Sequence, residues 1–351
     1  MKQKYLKTIV GLTIAVLAWI LFTTVKNGYG DATSVVPSTA EIAKKEHVNK
    51  LKEIASLSKD TQIEANNYLQ GLNKKELLTA IAEVATETQD YSQMSLFSGA
   101  ARQTLIGKLS DSELISLLEN PDLNDIFKTY MISIKQAENY ANKSKNSNQV
   151  NRVLREISMD EKNSEELRFT SLAQVDTYTE GDLPELKKLM DSSNSSERTK
   201  GFAYKTINKL DPAEGSVLAE KILKNADRYS STLVIAVMNT LGDFSANLNK
   251  INQNEDEIDL ITYALNTTKN QDIVRGAVFS LGRFKNETSV AAVINYRSKI
   301  NDEDLVRYYL DMNYLVVEKM LKSNDRAQIE TALTCVEIAP FLNFTPALNG
   351  L

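Results

Sequence analysis

Two stretches of the chain, forty residues apart, superimpose position for position: residues 233–244 lie over residues 273–284. Leu233, Val237, Leu241 and Phe244 match Ile273, Ala277, Leu281 and Phe284, while Val234 and Met238 match Val274 and Val278, and Gly242 matches Gly282. Positions at i, i+4, i+8 and i+11 fall on one face of a helix. Looser copies run through Ala203, Ile207 and Leu210 and through Leu167, Leu172, Val175 and Tyr178, and second helices are expected between the copies at 258–265 and 290–297. A unit of two helices cannot bury its apolar stripe alone, so such units must stack on one another to complete a core.

The rest of the chain obeys the same helical grammar. With only 13 Gly and 6 Pro in 351 residues, the sequence is short of β-turn punctuation, and its dominant residues favour helix. Apolar stripes recur in Leu51, Ile54, Ala55 and Leu57 and in Leu77, Leu78, Ile81 and Val84. Helix starts are marked by Ser110 with Glu113 three residues on, and by Asp211-Pro212-Ala213-Glu214. The fold class expected is all-α: helical hairpins at 41–142, then helical repeats at 148–342 and a tail at 343–351. The first set is either degenerate repeats or a separate bundle, with the polar stretch 143–149 as the candidate boundary.

The forty-residue period and the Leu-Gly-x-Phe endings, Leu241-Gly242-Asp243-Phe244 and Leu281-Gly282-Arg283-Phe284, resemble HEAT repeats, with Arg275 near that family's frequent arginine. The resemblance covers roughly residues 160–340. It implies a HEAT-like α-solenoid with a protein- or peptide-binding surface, and it carries over no catalytic residue. An irregular bundle in which the two glycines simply end helices is the alternative.

Residues 1–26 read as a signal peptide or a signal-anchor transmembrane segment. Lys2, Lys4 and Lys7 precede eighteen uncharged residues, 8–25, of which ten are Ile, Leu, Val or Phe. Cleavage after Gly30, before Asp31, would release the body; retention would leave it tethered through a flexible spacer at 27–40. Lysines on the N-terminal side direct the body out of the cytoplasm by the positive-inside bias. An exported protein, membrane-anchored or secreted, is expected, and abundant Lys and Asn suggest a bacterial source.

A net charge of −5 with interspersed signs gives no basic field for nucleic acid. His47 is the only histidine and Cys335 the only cysteine, which argues against histidine-based triads and zinc clusters. His47 is expected to be solvated and Cys335 to be a small buried hydrophobe. The acidic runs Glu255-Asp256-Glu257 with Asp259, and Asp302-Glu303-Asp304, belong at helix starts, where the macrodipole favours negative charge. Tyr308, Tyr309 and Tyr314 cluster on one expected helix and either edge the core or form a partner-binding surface; they are the candidate site residues. No catalytic residue, cofactor or metal is expected. The function expected is a non-enzymatic, extracytoplasmic scaffold for a protein or peptide partner, with a self-assembling envelope component or a carboxylate-based glycan-cleaving enzyme as alternatives.

Overall fold

A computed structural model describes residues 35–57, 61–88, 105–247, 255–340 and 344. The chain divides into two compact units, 1–177 and 178–351. Among the described residues the regular structure is helical, without a strand, and no helix is long and apolar enough to cross a membrane. The apolar segment 8–25, the cleavage position at Gly30 and spacer residues 27–34 lie outside the described residues. The first helix begins at Thr39, inside the expected spacer, because Ser38 and Glu41 form a reciprocal capping box.

In the first unit, α1 (Thr39–Ala43) and α2 (Glu46–Leu57) pack on α4 (Lys74–Glu87), with α3 (Thr61–Gly71) against α2. From α4 onward two rows alternate. α4 packs on α6 (Asp125–Asn142) and α6 on α8 (Glu165–Gln174), while α5 (Asp111–Glu119) packs on α7 (Asn148–Met159) beside them. The start signal at Ser110 works as read, forming a capping box with Glu113, and the structure adds a second box of Asn73 with Glu76; loss of such a cap costs about 0.5–2 kcal/mol. The polar stretch 143–149 lies inside this unit as the turn from α6 to α7, where Lys143 takes a left-handed conformation and the Asn146 amide donates to the Gln174 carbonyl at 2.8 Å.

Neighbouring helices in the first unit, along the row α4, α6 and α8 and between α2 and α4, are joined by polar clamps. Asn124, the N-cap of α6, donates to the Ala85 carbonyl at 2.7 Å, and the Ser164 amide at the start of α8 donates to Asp125 at 2.5 Å. Glu83 is buried within α4, where its carboxylate accepts the Val48 amide in the first turn of α2 at 2.9 Å.

The second unit repeats the arrangement. α9 (Leu183–Asp191) packs on α10 (Glu197–Leu210), and α10, α12 (Ser231–Asn247), α14 (Gln271–Leu281) and α17 (Glu303–Met312) then pack in succession as a first row. α11 (Pro212–Leu223), α13 (Glu255–Thr267) and α15 (Glu287–Asn295) form the second, which α18 (Tyr314–Leu321) and α19 (Arg326–Ile338) continue; the short α16 (Arg297–Ile300) leads into α17. Asp211 caps α11 by accepting the Glu214 amide at 3.1 Å, with Pro212 as first helical residue.

The two matching stretches occupy adjacent first-row helices. Leu233, Val234, Val237, Met238 and Leu241 of α12 are buried against Ile273, Val274, Ala277, Val278 and Leu281 of α14 in one core that extends from Tyr204 to Phe344. The repeat glycines mark close approach rather than two simple helix ends. Gly242 lies within α12, and a Cβ there would meet the Ser280 carbonyl oxygen at 2.9 Å; Gly282 caps α14, where a Cβ would meet the Met312 Cε at 3.1 Å. Polar contacts step along the chain at nearly the same interval: Thr268 to Asp227, Ser280 to Asn239 and Arg283 to Asp243.

Candidate functional site

The three tyrosines go to three different places. α17 ends at Met312 and Tyr314 opens α18, so they do not share a helix. Leu305 and Tyr309, four residues apart, face the core together; Tyr309 is fully buried, donates to the Ser289 hydroxyl at 3.3 Å, and burial raises its phenol above its ordinary pKa. It offers no surface, which removes it from the expected partner-binding set. Tyr314 is half-buried and stacks on Phe344, ring centres 4.9 Å apart and planes 18° apart, so one face of its ring is covered by the chain's own tail.

Tyr308 is exposed, one residue and about 100° around the helix from Tyr309. It meets Phe279 of α14 edge to face, with ring centres 6.0 Å apart at 64°. Phe279 is exposed as well; Arg275 lies one turn before it on α14, and Arg283 lies in the turn just after the Gly282 cap. Arg275 pairs with Asp302 at 3.3 Å, and Arg283 pairs with Asp243 of α12, which Lys205 of α10 approaches to 4.0 Å. Exposed ion pairs of this kind contribute only about 0–1 kcal/mol, so a partner's groups can exchange into them at small cost. The two aromatic rings add a platform suited to stacking and to cation–π contact.

Sequence reasoning missed Phe279 and its setting between Arg275 and Arg283. The signal existed in part: once Ile273, Ala277 and Leu281 are assigned to the core, Arg275 and Phe279 fall together on another face of the same helix, while Arg283 lies in the turn after it. The acidic runs sit where expected. Glu255, Asp256 and Glu257 fill the first turn of α13, and Asp302 caps α17 by accepting the Leu305 amide at 3.0 Å.

His47 differs from its expected solvated state: it is half-buried, its Nδ1 lying 2.7 Å from the Tyr68 hydroxyl. The Tyr68 phenol is raised by burial and by the nearby Glu46, Glu83 and Glu76 carboxylates. Cys335 is buried, and its thiol is pushed up to about 12 by loss of solvation, which leaves it protonated and unreactive at neutral pH. Among the described residues no group of three His, Cys, Asp or Glu side chains gathers to hold a metal ion.

The fold and this surface define an all-helical protein of stacked helix pairs. No protein-family model matches the chain, and no curated protein or solved structure is significantly similar to it.

Proposed function

We propose that the second unit is a HEAT-like α-solenoid segment whose first row of helices binds a protein or peptide partner. The observation that carries this reading is the exposed Phe279–Tyr308 pair, set on successive first-row helices and bracketed by Arg275 and Arg283. Paired exposed rings beside guanidinium groups match the aromatic and arginine enrichment of interface cores. The partner fitting this chemistry is an extended segment bearing an apolar or aromatic side chain flanked by carboxylates, which the two arginines can hold bidentately. We further propose that this body works outside the cytoplasm, tethered or released at the segment 8–25 that precedes it.

A photo-crosslinking amino acid placed at Tyr308 in the native cell tests the binding surface, with the same group at the exposed Tyr140 of α6 as the comparison. Discrete protein adducts from position 308 that vanish with Phe279→Ala support the reading. Equal adducts from both positions, or adducts indifferent to Phe279, overturn it. An adduct of twice the chain's own mass replaces a separate partner with a second copy. The topology has its own test, since protease shaving of intact cells that leaves the body uncut would sink it.

A further inference from the structure

The acidic run of α13 does more than start a helix. It borders a surface hollow of about 520 Å3 between α11 and α13, two successive second-row helices. Val217 of α11 and Tyr263 of α13 line the hollow and are 63% and 44% exposed, with the half-buried Leu260 beside them. Among the described residues, Glu220, Asp256, Glu257 and Asp259 line the hollow together with one cation, Lys224, which is paired to Glu220.

The helix macrodipole accounts for only part of that charge. Asp256 and Glu257 lie in the first turn of α13, where negative charge is favoured. Glu220, however, lies near the C-terminal end of α11, where the dipole disfavours it, and Asp259 is beyond the favoured first turn. The negative field also reaches inward. Tyr204 is fully buried, its hydroxyl has no hydrogen-bond partner among the described residues, and its phenol is raised first by burial and then by the Glu257 carboxylate. Exposed apolar side chains bordered by Asp256, Asp259 and Glu220 are the complement of a chain segment that is apolar and basic at once.

We infer that the hollow between α11 and α13 is a second docking site, which takes a lysine- or arginine-bearing apolar segment of a protein partner. The segment's aliphatic side chain covers Val217 and Leu260, its cation lies among Asp256, Asp259 and Glu220, and the Tyr263 ring offers that cation a π face. The site is independent of the Phe279–Tyr308 platform, which stands on α14 and α17.

The test uses the full chain and a fluorescent amphipathic peptide with Lys and Leu at helical spacing, read by anisotropy, beside the same peptide with Glu in place of Lys. The Lys peptide is expected to bind and to weaken as salt rises. Its affinity should fall roughly tenfold or more in Glu220→Gln/Asp256→Asn/Asp259→Asn and also in Tyr263→Ala, with helix content unchanged. The control Asp302→Asn/Glu303→Gln/Asp304→Asn, which removes the other acidic run, and the pair Phe279→Ala/Tyr308→Ala should both bind as the parent does. Equal losses in the two acidic variants mean general charge attraction and overturn the site, as does binding of the Glu peptide that persists in Phe279→Ala/Tyr308→Ala, or no binding of the Lys peptide at all. Because the platform variant is read separately, failure here leaves the Proposed function standing, and the reverse.

Discussion

In the second unit, first-row neighbours meet through apolar faces that repeat from helix to helix: α12 lays Val234, Val237 and Leu241 against Ile273, Val274 and Leu281 of α14, and Gly242 lets the two backbones approach. In the first unit the corresponding joints rely on side chains bonded to main chain, with Asn124 on the Ala85 carbonyl, Asp125 under the Ser164 amide, and the buried Glu83 under the first turn of α2. Apolar contact is non-directional and tolerates drift in sequence as long as volume is kept. A buried hydrogen bond is directional, and leaving one partner unmade carries the full desolvation penalty. Two regions with the same row arrangement should therefore fail in different ways.

The largest expected effects come from the second unit's apolar core, to which Leu281 and Tyr309 both belong. Leu281→Ala removes a fully buried side chain between α14 and its neighbours and should cost about 2–5 kcal/mol, read as a lower urea midpoint. The polar joint comes next. Glu83→Ala leaves the buried Val48 amide without its acceptor and should cost about 1–3 kcal/mol, although alanine is the better helix former. Glu83→Gln keeps a carbonyl oxygen for that amide and should recover most of the loss; if Gln and Ala are equally damaging, the clamp is not what holds α2 to α4.

The two repeat glycines sharpen the comparison inside the second unit. Gly242→Ala drives a Cβ toward a backbone carbonyl that cannot swing away, so overpacking of about 1–3 kcal/mol is expected. At Gly282 the nearest atom is the end of a flexible methionine, and the backbone is right-handed. There the gain of about 0.4–1 kcal/mol from a stiffer unfolded chain should roughly cancel the crowding. Thermal melts of the two variants that coincide would show that the glycines answer to helix ending and not to inter-helix distance.

How much of this was readable beforehand follows the same division. The second unit's core face was legible in Leu233, Val237 and Leu241 and their counterparts because helical periodicity is local, and so were the caps at Ser110 and Asp211. The separation of Tyr309 from Tyr308 was not legible, since they stand at i+4 and i+3 from Leu305 and either spacing allows an inward ring. Nor was Glu83, because one glutamate between Ala82 and Val84 looks like any solvated residue until the first turn of α2 is seen to rest on it. The contacts His47 to Tyr68, Tyr314 to Phe344 and Phe279 to Tyr308 join residues from separate segments, and no local pattern announces them.

Acid should act on the first unit through its salt clamps. Glu87 at the end of α4 is held at about 2, against an ordinary 4.5, first by the Lys45 and Lys52 hydrogen bonds and then by their charges. A depressed carboxylate stabilises the fold fully above its unfolded value and ceases to do so as pH falls through the folded value. The melting temperature of the parent should therefore drop toward that of Glu87→Gln as pH falls from about 4.5 to about 2, with the difference between them largest above that window. Because the group is exposed, added salt should shrink the same difference at neutral pH; salt independence would mean that the lysines do not hold it.

The smallest effect on stability is expected where the proposed binding is strongest. Phe279 and Tyr308 are exposed, and their edge-to-face contact contributes about 0.5–1.5 kcal/mol beyond burial, part of which water regains when one ring is cut away. Phe279→Ala and Tyr308→Ala should each shift the urea midpoint by the equivalent of about 0.5 kcal/mol or less, as surface substitutions do, whereas Tyr309→Ala, one residue along, should cost about 3–5 kcal/mol as a buried aromatic does. Loss of partner crosslinking in the two exposed variants with a folded, stable body separates recognition from packing. If instead Phe279→Ala destabilises as Tyr309→Ala does, the pair is part of the joint between α14 and α17, and the first row has no free aromatic platform to offer.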